Sequence, residues 1–127
     1  MGQIIAASRY SVDETIERLT ASLGRRHIEV FAQIDHGGAA SEAGLELGAE
    51  EVLIFGDPAV GTVLMQADRR IGLELPLRIL VWEQDGATRI SYRSPEELAA
   101  LYDDAGHKHF LAGMAKQLAD LIDEATA

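Results

Sequence analysis

Residues 77–92 read LRILVWEQDGATRISY, and this stretch decides the fold. Its centre is Asp85-Gly86 between two strand-like runs. That pair favours a two-residue type I′ turn, because both central positions need positive φ. Pairing outward from the turn sets Trp82 opposite Arg89, Val81 opposite Ile90, Leu80 opposite Ser91 and Ile79 opposite Tyr92. Opposed residues share a face, so Ile79, Val81, Ile90 and Tyr92 form a core face. The second face carries Leu80 and Trp82 with Arg78, Arg89 and Arg93. Pro76 has no amide proton to donate, so the regular strand begins just after it.

Upstream of the hairpin, Glu51-Val-Leu-Ile-Phe55 is a short apolar run that predicts a central strand buried on both faces. Gly56-Asp57-Pro58 then supplies a turn, a cap and a proline at the first helical position, opening a helix to about Asp68. Val60, Val63, Leu64 and Ala67 are its predicted inward face. Nearer the N-terminus, Ile4 and Ile5 begin a first strand. Ser11-Val-Asp-Glu14 fits a capping box, and Val12, Ile16, Leu19 and Leu23 recur on one helical face that Gly24 would end. Residues 28–35 alternate, with Ile28, Val30, Ala32 and Ile34 on one side and Phe31 on the more polar side. Asp35-His36-Gly37-Gly38 breaks that strand, and a short helix follows over 39–43, ending at Gly44.

Downstream, Ser94-Pro-Glu-Glu97 is a second capping-box pattern, opening a helix with Leu98, Leu101 and Tyr102. The last helix starts near His107 and carries Phe110, Leu111, Met114, Leu118, Leu121, Ile122 and Ala125 along one stripe. The element order predicts one α+β domain over residues 1–127, with a mixed, mainly antiparallel sheet, a C-terminal hairpin and helices packed on one face.

Composition narrows the function classes. The chain has 127 residues, 47% of them apolar and 25% charged, with no cysteine and a net charge of −10. An acidic balance disfavours nucleic acid and anionic lipid surfaces. Lack of cysteine removes disulfides, thiol nucleophiles and cysteine-held metals. No run approaches the length of a membrane span, the first ten residues lack a signal-peptide pattern, and Ala6 stands where myristoylation favours Ser or Thr. The expectation is a cytoplasmic protein without resident metal or cofactor.

Several spaced motifs together resemble one family. Ile34-Asp35-His36 is followed by Ala40 and Gly44, and Ile54-Phe55-Gly56-Asp57-Pro58 by Gly61-Thr62 and Leu64-Met65. Next come Leu73-Glu-Leu75-Pro76-Leu77-Arg78 and Tyr92 just before Ser94-Pro95. Nearly the whole chain thus resembles the bacterial and archaeal domain of unknown function 302 family. Asp57 stands where many relatives carry Asn, and Arg78 where Lys is common; both departures preserve hydrogen bonding or charge. The resemblance implies a small α+β domain and a homodimer, and it assigns no activity.

His36 follows a strand beside Asp35 and two glycines, which let the backbone approach another element or a ligand closely. His36, Asp57, Arg78 and Tyr92 are the candidate ligand-binding residues, converging at strand ends around a cleft for a small molecule. His36 and Tyr92 are the catalytic candidates if the protein is an enzyme, His36 acting as general acid or base. Against them stand a turn-bonding histidine and an ordinary capped helix start at Asp57. Gly56 and Gly61 have P-loop spacing, but Thr62 replaces its lysine and Pro58 removes a backbone donor. His107 and His109, two apart on a helix, diverge too far to share a metal ion, and no chemistry is assigned to His27. No Gly-x-Ser-x-Gly occurs, and the carboxylate pairs Glu50-Glu51, Glu96-Glu97 and Asp103-Asp104 read as solvated ends. Leu80, Trp82 and Arg89 form a candidate subunit interface, because Trp and Arg are enriched there. Coverage by the C-terminal helix and a Trp82–Arg89 cation–π stack are the competing explanations for this face. Three functional readings follow: a homodimeric small-ligand-binding module, an enzyme using His36, or a structural or protein-interaction domain using the Trp82 face.

Overall fold

The computed structural model describes residues 2–102 and 104–127. Ile4–Ser8 (β1), Glu29–Asp35 (β2), Glu50–Gly56 (β3), Leu77–Gln84 (β4) and Ala87–Tyr92 (β5) form one sheet. Its order is β1-β5-β4-β3-β2, with every pairing antiparallel. The helices are Val12–Arg25 (α1), His36–Glu42 (α2), Pro58–Ala67 (α3), Glu97–Leu101 (α4) and Lys108–Thr126 (α5). This is the α+β architecture expected, except that the sheet is wholly antiparallel where a mixed one was predicted, since no two strands pair in parallel.

The hairpin has the predicted register, with Leu80 opposite Ser91, Val81 opposite Ile90 and Trp82 opposite Arg89. Asp85 and Gly86 both take positive φ, 53° and 77°, as a type I′ turn requires. The hairpin strand β4 is the middle strand of the five, and β3 is interior as expected, paired with β4 on one edge and β2 on the other. β3 alternates between buried and half-buried residues, so only one of its faces lies in the core. Its uninterrupted apolar run concealed that alternation, since Val52 and Ile54 are apolar on the outer face as well.

Leu53, Phe55, Ile79, Val81, Ile90 and Tyr92 point to the inner face, where α1 and α5 cover them. Leu19 and Leu23 from α1 and Leu118, Leu121 and Ile122 from α5 complete this main core. Burying each such side chain stabilises the fold by about 1.5–3 kcal/mol relative to exposure. Ser11 caps α1 as expected, its hydroxyl accepting from the Glu14 amide at 3.1 Å. The helix runs one residue past Gly24, and the left-handed turn falls at His27, φ 56°. α1 and α5 are also tied by polar contacts: Arg18 Nε donates to the Ala125 carbonyl at 2.5 Å, and Arg26 pairs with Glu124 at 2.6 Å.

A second, smaller core joins Leu64 of α3, Leu98 of α4 and Leu111 of α5 to Ile71 in the single-turn helix between α3 and β4. In α3 only Leu64 is buried; Val60 is half-buried, and Val63 and Ala67 are exposed. At α4, the Ser94 hydroxyl accepts from the Glu96 amide at 3.2 Å and the Ser94 carbonyl from the Glu97 amide. That closes a turn, and regular helix starts only at Glu97.

A bulge changes the reading of β2. Val30 pairs with Phe55 but Ala32 pairs with Ile54, so Phe31 is inserted between them. One extra residue reverses the alternation that follows. Val30 consequently joins the main core while Ala32 and Ile34 turn to the outer face, which corrects their assignment to one side.

Candidate functional site

The candidate ligand residues divide between two depressions. Asp57 lines a cleft of about 330 Å³, whereas His36, Arg78 and Tyr92 line a basin of about 800 Å³ on the outer sheet face. Convergence of all four on one cleft is therefore corrected. The cause is the sheet: β3 ends at Gly56 toward α3 and α5, while β2 ends at Asp35 beside the opposite end of β3.

The cleft lies between the two cores. Ile28, Phe55 and Leu77 from the main core face it, as do Leu75 and Met114 from the smaller one, with Phe31 of the bulge at its wall. Its polar lining comes from Arg26, Asp57, Thr62 and Gln117. Gly61 and Gly72 face it without side chains. An ideal Cβ at Gly61 would stand 3.6 Å from Leu75 Cδ1 and 3.8 Å from Met65 Cε, which is ordinary contact. Methionine walls adapt their shape easily. This combination of apolar walls, few polar groups and a size above about 300 Å³ is characteristic of small-molecule sites.

Asp57 serves the helix first. Its Oδ1 accepts from the Ala59 amide at 3.0 Å, capping α3 with Pro58 in the first turn. Thr62 Oγ1 donates to the Pro58 carbonyl at 2.6 Å. Neither arrangement resembles a phosphate cradle, because the carboxylate occupies the amide end and the hydroxyl is turned back into the helix. Gly56 and Gly61 both line the cleft instead.

His36 is the first residue of α2 and is exposed. Asp35 caps this helix, Oδ1 accepting from the Gly38 amide at 2.8 Å. The expected close backbone approach is found at Gly37: a Cβ there would lie 2.3 Å from the Gly48 carbonyl oxygen. Among the described residues no side-chain hydrogen bond involves His36. Arg78 is exposed on the outer face. Tyr92 is 9% exposed within the main core, where burial first and the Asp123 carboxylate second push its phenol pKa up. Alternation along β5 places the Tyr92 side chain with Ile90, opposite in direction to Arg78 on the paired strand.

The outer face is not covered by α5, whose buried residues all belong to the two inner cores. Leu80 and Trp82 are half-buried there. Trp82 and Arg89 are cross-strand neighbours, yet the indole Nε1 donates to Gln84 Oε1 at 3.2 Å. Cation–π contacts among the described residues lie elsewhere: Arg18 and Arg9 on Tyr10, and Arg70 on Tyr102. His107 Nδ1 bonds Asp104 at 2.8 Å, and Asp103, the other half of that acidic pair, lies outside the described residues. No group of three or more metal-ligating side chains occurs among the described residues.

Sequence reasoning reached Asp57 but missed Met65, Met114 and Gln117. Met65 follows Gly61 by one turn along α3, whereas Met114 and Gln117 belong to α5 and reach the cleft only through tertiary packing. Arg26, the C-terminal cap of α1, also lines the cleft.

Comparison with known proteins follows this geometry. A crystal structure of an uncharacterized conserved DUF302 protein from Bacillus stearothermophilus superposes with a TM-score of 0.90 over 98% of each chain, at 25% identity. Curated relatives include the fluoride-specific ion channels FluC 1 of Brucella suis biovar 1 and FluC 1 of Brucella abortus biovar 1. Each is 51% identical over 89 residues, covering 70% of this chain and 35% or 33% of the relative. The chain thus spans about a third of the length of the curated relatives it matches. No helix among the described residues is long and apolar enough to cross a membrane. The family model for Domain of unknown function DUF302 matches residues 4–125, and the chain belongs to that family.

Proposed function

We propose that the chain is a small-ligand-binding module acting as a cytoplasmic homodimer, with the Asp57 cleft as its binding site. The observation that carries this reading is the open apolar gap between two otherwise closed cores. Side chains facing empty space forgo dispersion contacts, so a ligand of matching shape gains them on entry. The polar side chains at Arg26, Asp57 and Gln117 would orient such a ligand rather than supply its affinity. In relatives named as fluoride channels, a stretch similar to this chain accounts for about a third of the length. A ligand-binding module of that proportion suits control of an attached activity by a small molecule.

Native mass spectrometry of protein purified gently from its own host tests the reading. Extra mass lost on denaturation supports it and identifies the ligand. As a second arm, 1-anilinonaphthalene-8-sulfonate is titrated into ligand-free protein. Saturable fluorescence enhancement at one site per chain is expected, and neither retained mass nor saturable dye binding would remove the proposal.

A further inference from the structure

Two charged side chains, Arg26 and Asp57, line the cleft between the cores, and they differ in how far their charge is already engaged. Arg26 Nη1 donates to Glu124 Oε2 at 2.6 Å and to Ser22 Oγ at 3.0 Å, which holds its guanidinium on the contact between α1 and α5. Asp57 is exposed and forms no ion pair among the described residues. Its Oδ1 accepts from the Ala59 amide, and its Oδ2 has no hydrogen-bond partner among the described residues. One carboxylate oxygen thus stays open to a donor arriving in the cleft.

The bulge in β2 supplies an independent feature at the same place. Phe31 is the inserted residue, and its ring lies against Gly56, the residue before Asp57: an ideal Cβ on Gly56 would stand 3.5 Å from Phe31 Cε2. The ring lines the cleft yet remains 44% exposed. Bulges re-aim side chains beside functional sites, and here the result is an open aromatic ring next to an unpaired carboxylate. Both attract a cation, the carboxylate by its charge and the ring by its quadrupole.

Resting on the cleft reading, we propose that the ligand is an organic ammonium ion with an apolar body. Its charged head sits at Asp57 and Phe31, and its body fills the gap against Met65, Leu75 and Met114. The net charge of −10 draws cations toward the chain and repels anions. Two positive groups oppose this choice. The start of α3 carries the equivalent of about half an elementary charge, less than the full charge on Asp57. Arg26 is offset at Glu124, a carboxylate that it shares with Arg25, so an anion seated on Arg26 is the rival outcome. An anionic dye still reports the apolar gap, at lower affinity than a cation of the same size.

Isothermal titration calorimetry on ligand-free protein at low salt, with three probes that share one body, tests the inference: 1-naphthylmethylammonium, 1-naphthylmethanol and 1-naphthylacetate. The ammonium should bind about tenfold more tightly than the alcohol, the combined effect of an exposed ion pair and a cation–π contact, and the acetate should bind most weakly. High salt should shrink the ammonium's advantage to about threefold, because exposed charges are screened. Asp57→Asn keeps an oxygen for the Ala59 amide, and Phe31→Leu keeps an apolar wall; each should cut the advantage to about threefold, with far-UV circular dichroism confirming the fold. Failure of all three probes and of 1-anilinonaphthalene-8-sulfonate to bind overturns the cleft reading and this inference together. Binding of that dye alone, or equal affinity for ammonium and alcohol, keeps the cleft and overturns the cation. Tightest binding by the acetate, lost in Arg26→Gln, assigns an anion to Arg26 instead. An undiminished advantage in a folded Asp57→Asn overturns the placement of the head.

Discussion

Filling the cleft should raise stability while abolishing binding, and Gly61 is the position where both effects can be read. It lies inside α3, is half-buried and takes no positive φ, so a side chain meets no backbone strain. Gly61→Ala should stabilise by about 0.5–1 kcal/mol through helix propensity alone. Its Cβ would rest at ordinary contact distance from Leu75 and Met65. Gly61→Leu places three further carbons toward the cleft. At about 0.8 kcal/mol per buried methylene that is roughly 2.4 kcal/mol, reduced by about 0.5–1 kcal/mol of lost rotamer freedom. Leucine should therefore exceed alanine by about 1.5 kcal/mol. At roughly 3–5 °C per kcal/mol for this chain length, Tm should rise by about 2–4 °C for Ala and about 7–11 °C for Leu. Differential scanning calorimetry gives the stabilities, and titration with 1-anilinonaphthalene-8-sulfonate gives the binding. Alanine should retain most of the binding and leucine should lose it. A leucine variant less stable than alanine would show that the gap is not available space. A stable leucine variant that still binds would place the site elsewhere.

Three further outcomes follow from the packing and charge. Gly37→Ala drives a Cβ into the Gly48 carbonyl and toward the Glu50 amide, both backbone atoms, so urea unfolding should show a loss of about 1–3 kcal/mol. Wild-type stability would overturn that close approach. The Tyr92 phenol ionises above its ordinary value near 10.0 because it is buried and near Asp123, so its contribution is full below pH 10 and lost as pH rises toward the folded value. Tyr92→Phe should flatten the alkaline decline in Tm, and an unchanged decline would refute the assignment. Arg26 and Arg25 hold the Glu124 carboxyl below its ordinary range, so its contribution is present above that range and lost as pH falls through the lowered value. Glu124→Gln should lower Tm slightly at pH 7 and match wild type in strong acid; a difference persisting in acid would count against the ion pairs.

Local signals explain which parts of the molecule were legible beforehand. Asp85-Gly86 specified a turn and hence the hairpin register, because its backbone geometry depends on the two residues themselves. The Ser11 cap and the four-three-four spacing in α1 likewise act within one helix. The spaced motifs that resemble the DUF302 family run from Ile34 to Pro95, enough to identify it. The bulge at Phe31 was not legible, because an inserted residue is defined by its partner strand and not by its own neighbours. For the same reason β3 read as buried on both faces: an apolar run does not reveal whether a helix covers each face.

What the sequence by itself determined was therefore the family, the α+β class, the hairpin and the residues of the main core, all encoded in local turn chemistry and periodic burial. Only the tertiary structure decided that Asp57 and His36 serve different depressions. It alone placed Met114 and Gln117 of α5 in the cleft with Asp57, and left the Leu80 and Trp82 face uncovered by α5. Those outcomes depend on how helices joined by long stretches of chain settle on the sheet, a property of packing in space that no spacing along the chain records.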